Sequence, residues 1–280
     1  MNVMVTGAGG YIGRHVVEAL TRMGHHVIAV DRMPVQGENV TSLDLDIFSG
    51  NPDIYDLAGR PDSLIHMAWI DGFVHNSPAH MQYLPMHYRF IEDMLAGGLP
   101  QVAVMGTMHE IGYWEGAIAE DTPANPLSLY GIAKNALRQS MTVLQQKFPN
   151  AVFQWLRAYY IYGDDGRSHS IFTKLIQAAK EGKKEFPFTS GKNLYDFIHV
   201  DDLARQIAAC ACQQEVTGVI NCCSGKPVSL AEQVELFIKD QGLDIKLEYG
   251  KFPDRAYDSP GVWGDAQKIT QVMNALENKE

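Results

Sequence analysis

Thr6-Gly7-Ala8-Gly9-Gly10-Tyr11-Ile12-Gly13 is the stretch on which the fold turns. Before it stands Val3-Met4-Val5-Thr6, a short apolar run that reads as a buried strand. After it, Tyr11 to Met23 reads as a helix, because Ile12, Val16, Val17, Leu20 and Met23 share one face. The glycines at 7, 10 and 13 permit a tight turn, a close approach of backbone to a diphosphate, and close packing of helix on strand. The helix N-terminus offers unpaired N–H groups and a partial positive charge to that anion. Gly7, Gly10, Tyr11, Ile12 and Gly13 are the expected phosphate-side contacts.

The second strand, Val27-Ile28-Ala29-Val30, ends at Asp31. A carboxylate there accepts the ribose hydroxyls of NAD. Arg32 beside it opens the alternative of NADP, whose 2′-phosphate an arginine holds but the carboxylate repels, so NAD is favoured. Asp44-Leu45-Asp46 follows the third strand, Val40 to Leu45. Asp44 suits the adenine amino group, with the Leu45 N–H on the ring; Asp46 suits a cap for the next turn.

Outward from there the rhythm continues. Ser63 to Ala68 is a strand, Tyr88 to Leu95 a helix, Val102 to Met105 a strand, Leu129 to Phe148 a long helix and Val152 to Leu156 a strand. Such alternation predicts a doubly wound parallel sheet with helices on both faces. The second half is less regular. Helices are expected at Phe172 to Glu181, from Asp201-Asp202 to Cys212, after Ser229, and from Asp265 to Leu276, with strands at Phe197 to Val200 and Val219 to Asn221. The expected division is residues 1–158 as the dinucleotide-binding domain and 159–280 as a smaller C-terminal substrate lobe, with a segment near 195–222 returning to the first.

The chain of 280 residues carries a net charge of −10, which argues against nucleic acid or an anionic membrane as partner. No apolar run approaches the length of a membrane span, and the first strand begins at Asn2, so a cytoplasmic protein is expected. Cys210, Cys212, Cys222 and Cys223 have no zinc spacing and read as small hydrophobes in a reducing compartment. No metal site is expected.

Tyr130-Gly131-Ile132-Ala133-Lys134 places a phenol and an amine on one face of one helical turn. An ammonium beside a phenol stabilises the phenolate and lowers its pKa, as proton transfer at a carbonyl requires. Gly106-Thr107 ends the fifth strand, on the side of such sheets where ligands bind. Thr107, Tyr130 and Lys134 together make a positioning hydroxyl, a proton donor and its activator.

These residues resemble the extended short-chain dehydrogenase/reductases, the nucleotide-sugar epimerase/dehydratase group. The resemblance runs over nearly the whole chain. It adds His66-Met67-Ala68, Gly112, Pro126, Arg157, Tyr162-Gly163, Asp196 to Asp202, Asn221, Ser224-Gly225, Asp265 and Lys268 to the marks above. It implies a Rossmann fold, Tyr130 as general acid/base, Lys134 as its partner and ribose ligand, and Thr107 as ligand to the substrate hydroxyl. Ala68, Trp69 and Tyr159 should lie near the cofactor, and His66 beneath it. It also implies a homodimer through a four-helix bundle, for which Leu137, Met141 and Leu144 are either the seam or ordinary core.

Several departures bear on substrate. Gly106 stands where the group often has serine. Tyr160 replaces an asparagine, and Tyr195 an arginine that grips the substrate diphosphate. A dehydratase uses an acid pair just after Thr107; here Met108 and then His109-Glu110 follow, so only half of that pair is present. Met108, His109, Tyr160 and Arg255 are the candidate substrate contacts, with Glu110 open as a second acid/base or a loop-shaping residue. The expected function is 4-ketoreduction of a nucleoside-diphosphate deoxy-hexose, with a 4-epimerase that retains NAD and a non-catalytic dinucleotide-binding regulator as alternatives.

Overall fold

The computed structural model describes residues 1–163, 170–254 and 259–278. The first half runs β1 (Asn2–Thr6), α1 (Gly13–Arg22), β2 (His26–Val30), β3 (Val40–Leu43), α2 (Ile54–Leu57), β4 (Ser63–His66), α3 (Ala79–Ala96) and β5 (Gln101–Thr107). A single 3-10 turn, Met108–Glu110, leads to β6 (Gly116–Ile118), α4 (Leu129–Lys147), β7 (Val152–Ala158) and β8 (Tyr160–Tyr162). Then come α5 (Ile171–Lys180), β9 (Glu185–Pro187), β10 (Leu194–His199), α6 (Val200–Ala211) and β11 (Gly218–Cys222). The chain closes with β12 (Pro227–Ser229), α7 (Leu230–Asp240), β13 (Lys246–Glu248), β14 (Gly261–Gly264) and α8 (Gln267–Glu277).

Seven strands form one sheet in the order β11-β7-β5-β4-β1-β2-β3, and every neighbouring pair is parallel. Both faces are covered, which is why the strands read as continuous apolar runs rather than alternating ones. Val3 and Val5 of β1 enter the core shared with α1 and α6. Met4 between them enters the opposite core, shared with α3 and α4. Leu137, Met141 and Leu144 are buried in that second core, so they pack α4 on the sheet and do not form an outward seam.

Second-half strands build a smaller sheet, β12-β10-β14-β6 with β8 paired to β10, to which β6 from the first half adds an edge, and a two-stranded β9–β13 pair. Asp196 on β10 ties this sheet to the end of β11. Its fully buried carboxylate accepts the Ser224 N–H (2.8 Å) and hydroxyl (2.6 Å), the Gly225 N–H (2.9 Å) and the Gly264 N–H (3.1 Å).

Differences from the expected elements have local causes. α3 starts at Ala79, well before Tyr88, and carries Pro85 inside it; a proline reads as a stop, but the packing of α3 on α4 and α2 outweighs the one lost backbone bond. α6 is capped by His199, whose Nδ1 accepts the Asp201 N–H (3.3 Å), rather than by an aspartate. Strands of three or four residues such as β6, β9, β12 and β14 are too short to show a period, and exist because a partner strand completes their hydrogen bonds. Among the described residues, no helix is long and apolar enough to cross a membrane.

Candidate active site

The turn after β1 is built as a cradle. Gly7 has φ +71, and a Cβ there would stand 2.9 Å from the Ala68 amide, so the turn lies directly on the end of β4. The Thr6 hydroxyl fixes that approach by accepting the Met67 and Ala68 N–H groups, each at 3.2 Å. Gly10 N–H donates to the Gly7 carbonyl (3.1 Å), and Gly13 packs against the same carbonyl with no room for a side chain. Asp31 reaches back to accept the Gly9 N–H (3.0 Å), while Arg32 and Asp44 are exposed and Leu45 is half-buried. α1 begins with no side-chain cap and no acidic residue in its first turn. The Arg14 N–H turns back to the Gly10 carbonyl (3.3 Å), and the helix dipole is left to an external anion. An uncapped helix, a turn closed to any Cβ and a carboxylate at the next strand end suit a dinucleotide.

Thr107 ends β5 beside this cradle, and α4 brings Tyr130 and Lys134 to it. α4 is set by Ser128, whose hydroxyl accepts the Gly131 N–H (3.2 Å). The 70–78 loop completes the cap: the Tyr130 N–H donates to the His75 carbonyl (2.8 Å) and the Leu129 N–H to Asn76 (3.2 Å). The Thr107 side chain faces the Tyr130 phenol, close enough to favour its ionised form. Lys134 is buried; its ammonium donates to the Met105 carbonyl (2.7 Å) and lies 3.8 Å from the Trp69 ring centroid.

The electrostatics differ from those the sequence suggests. Burial pushes the Tyr130 phenol up to about 12, opposed by the nearby Thr107 side chain and helped by the Glu110 charge. Burial likewise brings the Lys134 ammonium down to about 7, opposed by Glu110. The lysine is turned to Met105 and Trp69, 5.9 Å from the tyrosine ring centroid, so removal from water outweighs it.

Glu110 holds Thr107. It completes a capping box on Thr107, accepting the Thr107 N–H (3.1 Å), while Thr107 Oγ1 accepts the His109 N–H (3.3 Å). The same carboxylate accepts the Trp155 indole N–H (2.8 Å) and pairs with Arg138 (3.1 Å) and Arg157 (3.4 Å). Fully enclosed and doubly paired, Glu110 shapes the loop and is not a second acid/base. Trp155 also explains Gly106: a Cβ at 106 would lie 2.1 Å from its indole nitrogen. Restoring the serine, Gly106→Ser, should push the indole off Glu110 and cost about 1–3 kcal/mol as overpacking, read as a lowered thermal midpoint.

The other expected residues divide. Trp69 is half-buried, stacked on His87 (4.3 Å, 13°), with its indole N–H on His80 Nδ1 (3.0 Å). His66 lies under the cradle between the Thr6 hydroxyl and His87, 2.8 Å from each, and burial, aided by the Lys134 charge, holds it neutral with a pKa of about 3. Tyr159 turns into the core and its hydroxyl donates to Asn221 (3.0 Å), leaving only its backbone for a cofactor. The Met108 side chain is core as well. Tyr160 and Tyr195 lie against each other (4.3 Å) with Phe197 beside them, so the two departures from polar residues form one aromatic wall. Arg255 falls outside the described residues.

His75 and His80 were not legible as site residues. Both flank the Tyr130 ring, at 5.5 Å and 5.3 Å between centroids, and His109 stands 6.2 Å from it. His75 comes from the loop before α3 and His80 from the first turn of α3, some fifty residues upstream in a stretch without a motif; only the helix-start signal Asn76-Ser77-Pro78 marks it.

The model of the NAD dependent epimerase/dehydratase family matches residues 3–223. The dTDP-6-deoxy-L-talose 4-dehydrogenase (NAD(+)) of Aggregatibacter actinomycetemcomitans is 44% identical over 274 residues, covering 94% of this chain and 99% of that one. A UDP-glucose 4-epimerase of Neisseria meningitidis serogroup B is 25% identical, over 97% of this chain and 94% of its own. The solved structure of MoeE5 in complex with UDP-glucuronic acid and NAD superposes with a TM-score of 0.82 at 26% identity, covering 98% and 93% of the two chains. With the cradle, the Thr-Tyr-Lys set and a match across most of its length, the chain belongs to the NAD dependent epimerase/dehydratase family.

Proposed function

We propose that the protein is an NAD-dependent 4-dehydrogenase of a nucleoside-diphosphate 6-deoxy-hexose, able to run as the 4-ketoreductase. The observation that carries the reading is the meeting of Thr107, Tyr130 and Lys134 at the end of β5, beside the uncapped N-terminus of α1. The likeness to the deoxy-talose dehydrogenase narrows the substrate.

In this reading α1 and the glycine turn hold the diphosphate of NAD, Asp31 its adenosine ribose and Lys134 its nicotinamide ribose. The bound nicotinamide supplies a hydride acceptor or donor. Thr107 orients the C4 oxygen by a hydrogen bond. Tyr130 takes the hydroxyl proton in oxidation and returns it in reduction. The Tyr160–Tyr195 wall replaces an amide and a guanidinium, so the substrate diphosphate is held by other groups than in relatives that carry that arginine.

Free thiols at all four cysteines fit a reducing cytoplasm. A homodimer would use the outward faces of α3 and α4, where Met81, Met86, Ile132 and Val143 are exposed.

Incubation with dTDP-6-deoxy-L-talose should yield NADH and a 4-keto sugar in equal amounts, with NADP+ a poorer acceptor because Asp31 stands at the ribose. Interconversion of C4 epimers of UDP-glucose with no free NADH would overturn the reading in favour of an epimerase.

A further inference from the structure

Oxidation of a C4 alcohol releases a hydride, taken up by the coenzyme, and a proton, taken up by the Tyr130 phenolate as the C4–O bond becomes a carbonyl. An epimerase returns that proton to the same sugar. A dehydrogenase must export it before the next turnover, so a net oxidation demands a path from Tyr130 to water.

The candidates around Tyr130 separate by their hydrogen bonds. His80 has both nitrogens engaged: Nδ1 accepts the Trp69 indole N–H (3.0 Å), so Nε2 donates to the Val74 carbonyl (2.9 Å). His66 and His87 are bonded to each other and buried. Lys134 is buried too, with its ammonium on the Met105 carbonyl and the Trp69 face. His75 and His109 differ. Neither imidazole makes a hydrogen bond among the described residues. Their rings meet at 4.5 Å between centroids, and His75 lies parallel to Tyr130 (5.5 Å, 14°) while His109 stands edge-on to it. His109 is half-buried beside Thr107, and His75 is exposed.

We propose that His109 and His75, with water bridging the gaps between the phenol and the two rings, form the proton exit of Tyr130, an inference that rests on the dehydrogenase reading above. A neutral imidazole accepts a proton at one nitrogen and releases another from the second, so the pair passes the Tyr130 proton outward and ends unchanged after tautomer exchange. Both imidazoles are held on the neutral side, His109 at about 4 by burial and by its neighbour His75, and His75 below its ordinary value by burial and by His80. The last acceptor is water at His75. The two residues act through Tyr130 and need not touch the sugar.

Single-turnover stopped flow tests this, following NADH by absorbance and proton release with a pH indicator. In the wild type the two should keep pace. In His75→Ala the backbone carbonyl that receives the Tyr130 N–H is retained. With enzyme premixed with NAD at a pH where Tyr130 has already ionised, NADH should then form at the wild-type rate in the first turnover, while proton release and steady-state kcat slow about tenfold. The solvent isotope effect on kcat should rise, and added imidazole should restore the rate. Combining His75→Ala with His109→Ala should slow proton release no further than the slower single variant, since both lie on one path. Proton release that keeps pace with NADH in His75→Ala overturns the relay, as does a first turnover slowed in equal measure and not restored by imidazole. A wild type that makes no net NADH overturns the functional reading first, and the relay with it, because it has no proton to export.

Discussion

Tyr130→Phe should lower kcat by about 10²–10⁴-fold, the usual worth of a positioned proton donor, while NAD affinity stays near the wild-type value. The phenylalanine ring keeps its place between His75, His80 and Trp69, so the cradle is undisturbed and only the hydroxyl facing Thr107 is lost. Isothermal titration with NAD and initial rates on the same preparation separate the two effects. A variant with full activity would sink the mechanism.

The pH dependence carries the same signature. Without coenzyme Tyr130 titrates at about 12, so near neutrality it is a phenol, the form that reduction of a ketone needs. Alcohol oxidation needs the phenolate. Its rate should rise with pH until Tyr130 has ionised in the complex, and reduction should fall over the same interval. A cationic nicotinamide beside the phenol moves that interval down. Oxidation and reduction rates measured across pH should therefore cross in opposite senses, and a pH-independent oxidation would remove Tyr130 from the role of base.

Glu110→Ala should be the most damaging change to stability. It strips the carboxylate from Arg157, which is fully buried and keeps only the neutral acceptors Ala119 and Asn221, and from Arg138, and leaves the Trp155 indole N–H without its acceptor. Breaking a buried ion pair from one side costs about 3–5 kcal/mol, because a desolvated charge is left behind. For a chain of this size the thermal midpoint should fall by on the order of 10 °C. Glu110→Gln keeps an acceptor for Thr107 and Trp155 and should lose less. If Ala and Gln unfold at the wild-type temperature, the Arg138–Glu110–Arg157 cluster is not what holds the β5 loop. Activity should fall with stability in the alanine variant, since Thr107 loses the carboxylate that fixes its backbone.

The cofactor half of the site was legible because its chemistry is local. A tight turn needs glycine where Gly7 stands, and the helix that begins at Gly13 must point its N-terminus at the anion; both facts are written in eight consecutive residues. Tyr130 and Lys134 share a helical face by spacing alone. Glu110 was less legible, because a carboxylate three residues after a threonine is equally a cap or an acid until its partners are known. Those partners lie on α4 and β7, and only the packing of three elements brings Arg138, Trp155 and Arg157 together. The meaning of Gly106 hung on the same tryptophan.

By itself the sequence determined the parallel sheet, the dinucleotide cradle and the Thr-Tyr-Lys set, since periodicity, turn stereochemistry and helical spacing act over a few residues and need no distant partner. Tertiary structure decided the rest. It fixed Glu110 as an anchor, sent Leu137, Met141 and Leu144 to the core, joined Tyr160 to Tyr195 in one aromatic wall, and set His75, His80 and His109 around Tyr130. Each of these depends on which surfaces exclude water together. It also reversed the expected pKa of Tyr130, because burial of a phenol is a property of everything packed around it and not of the lysine one turn away.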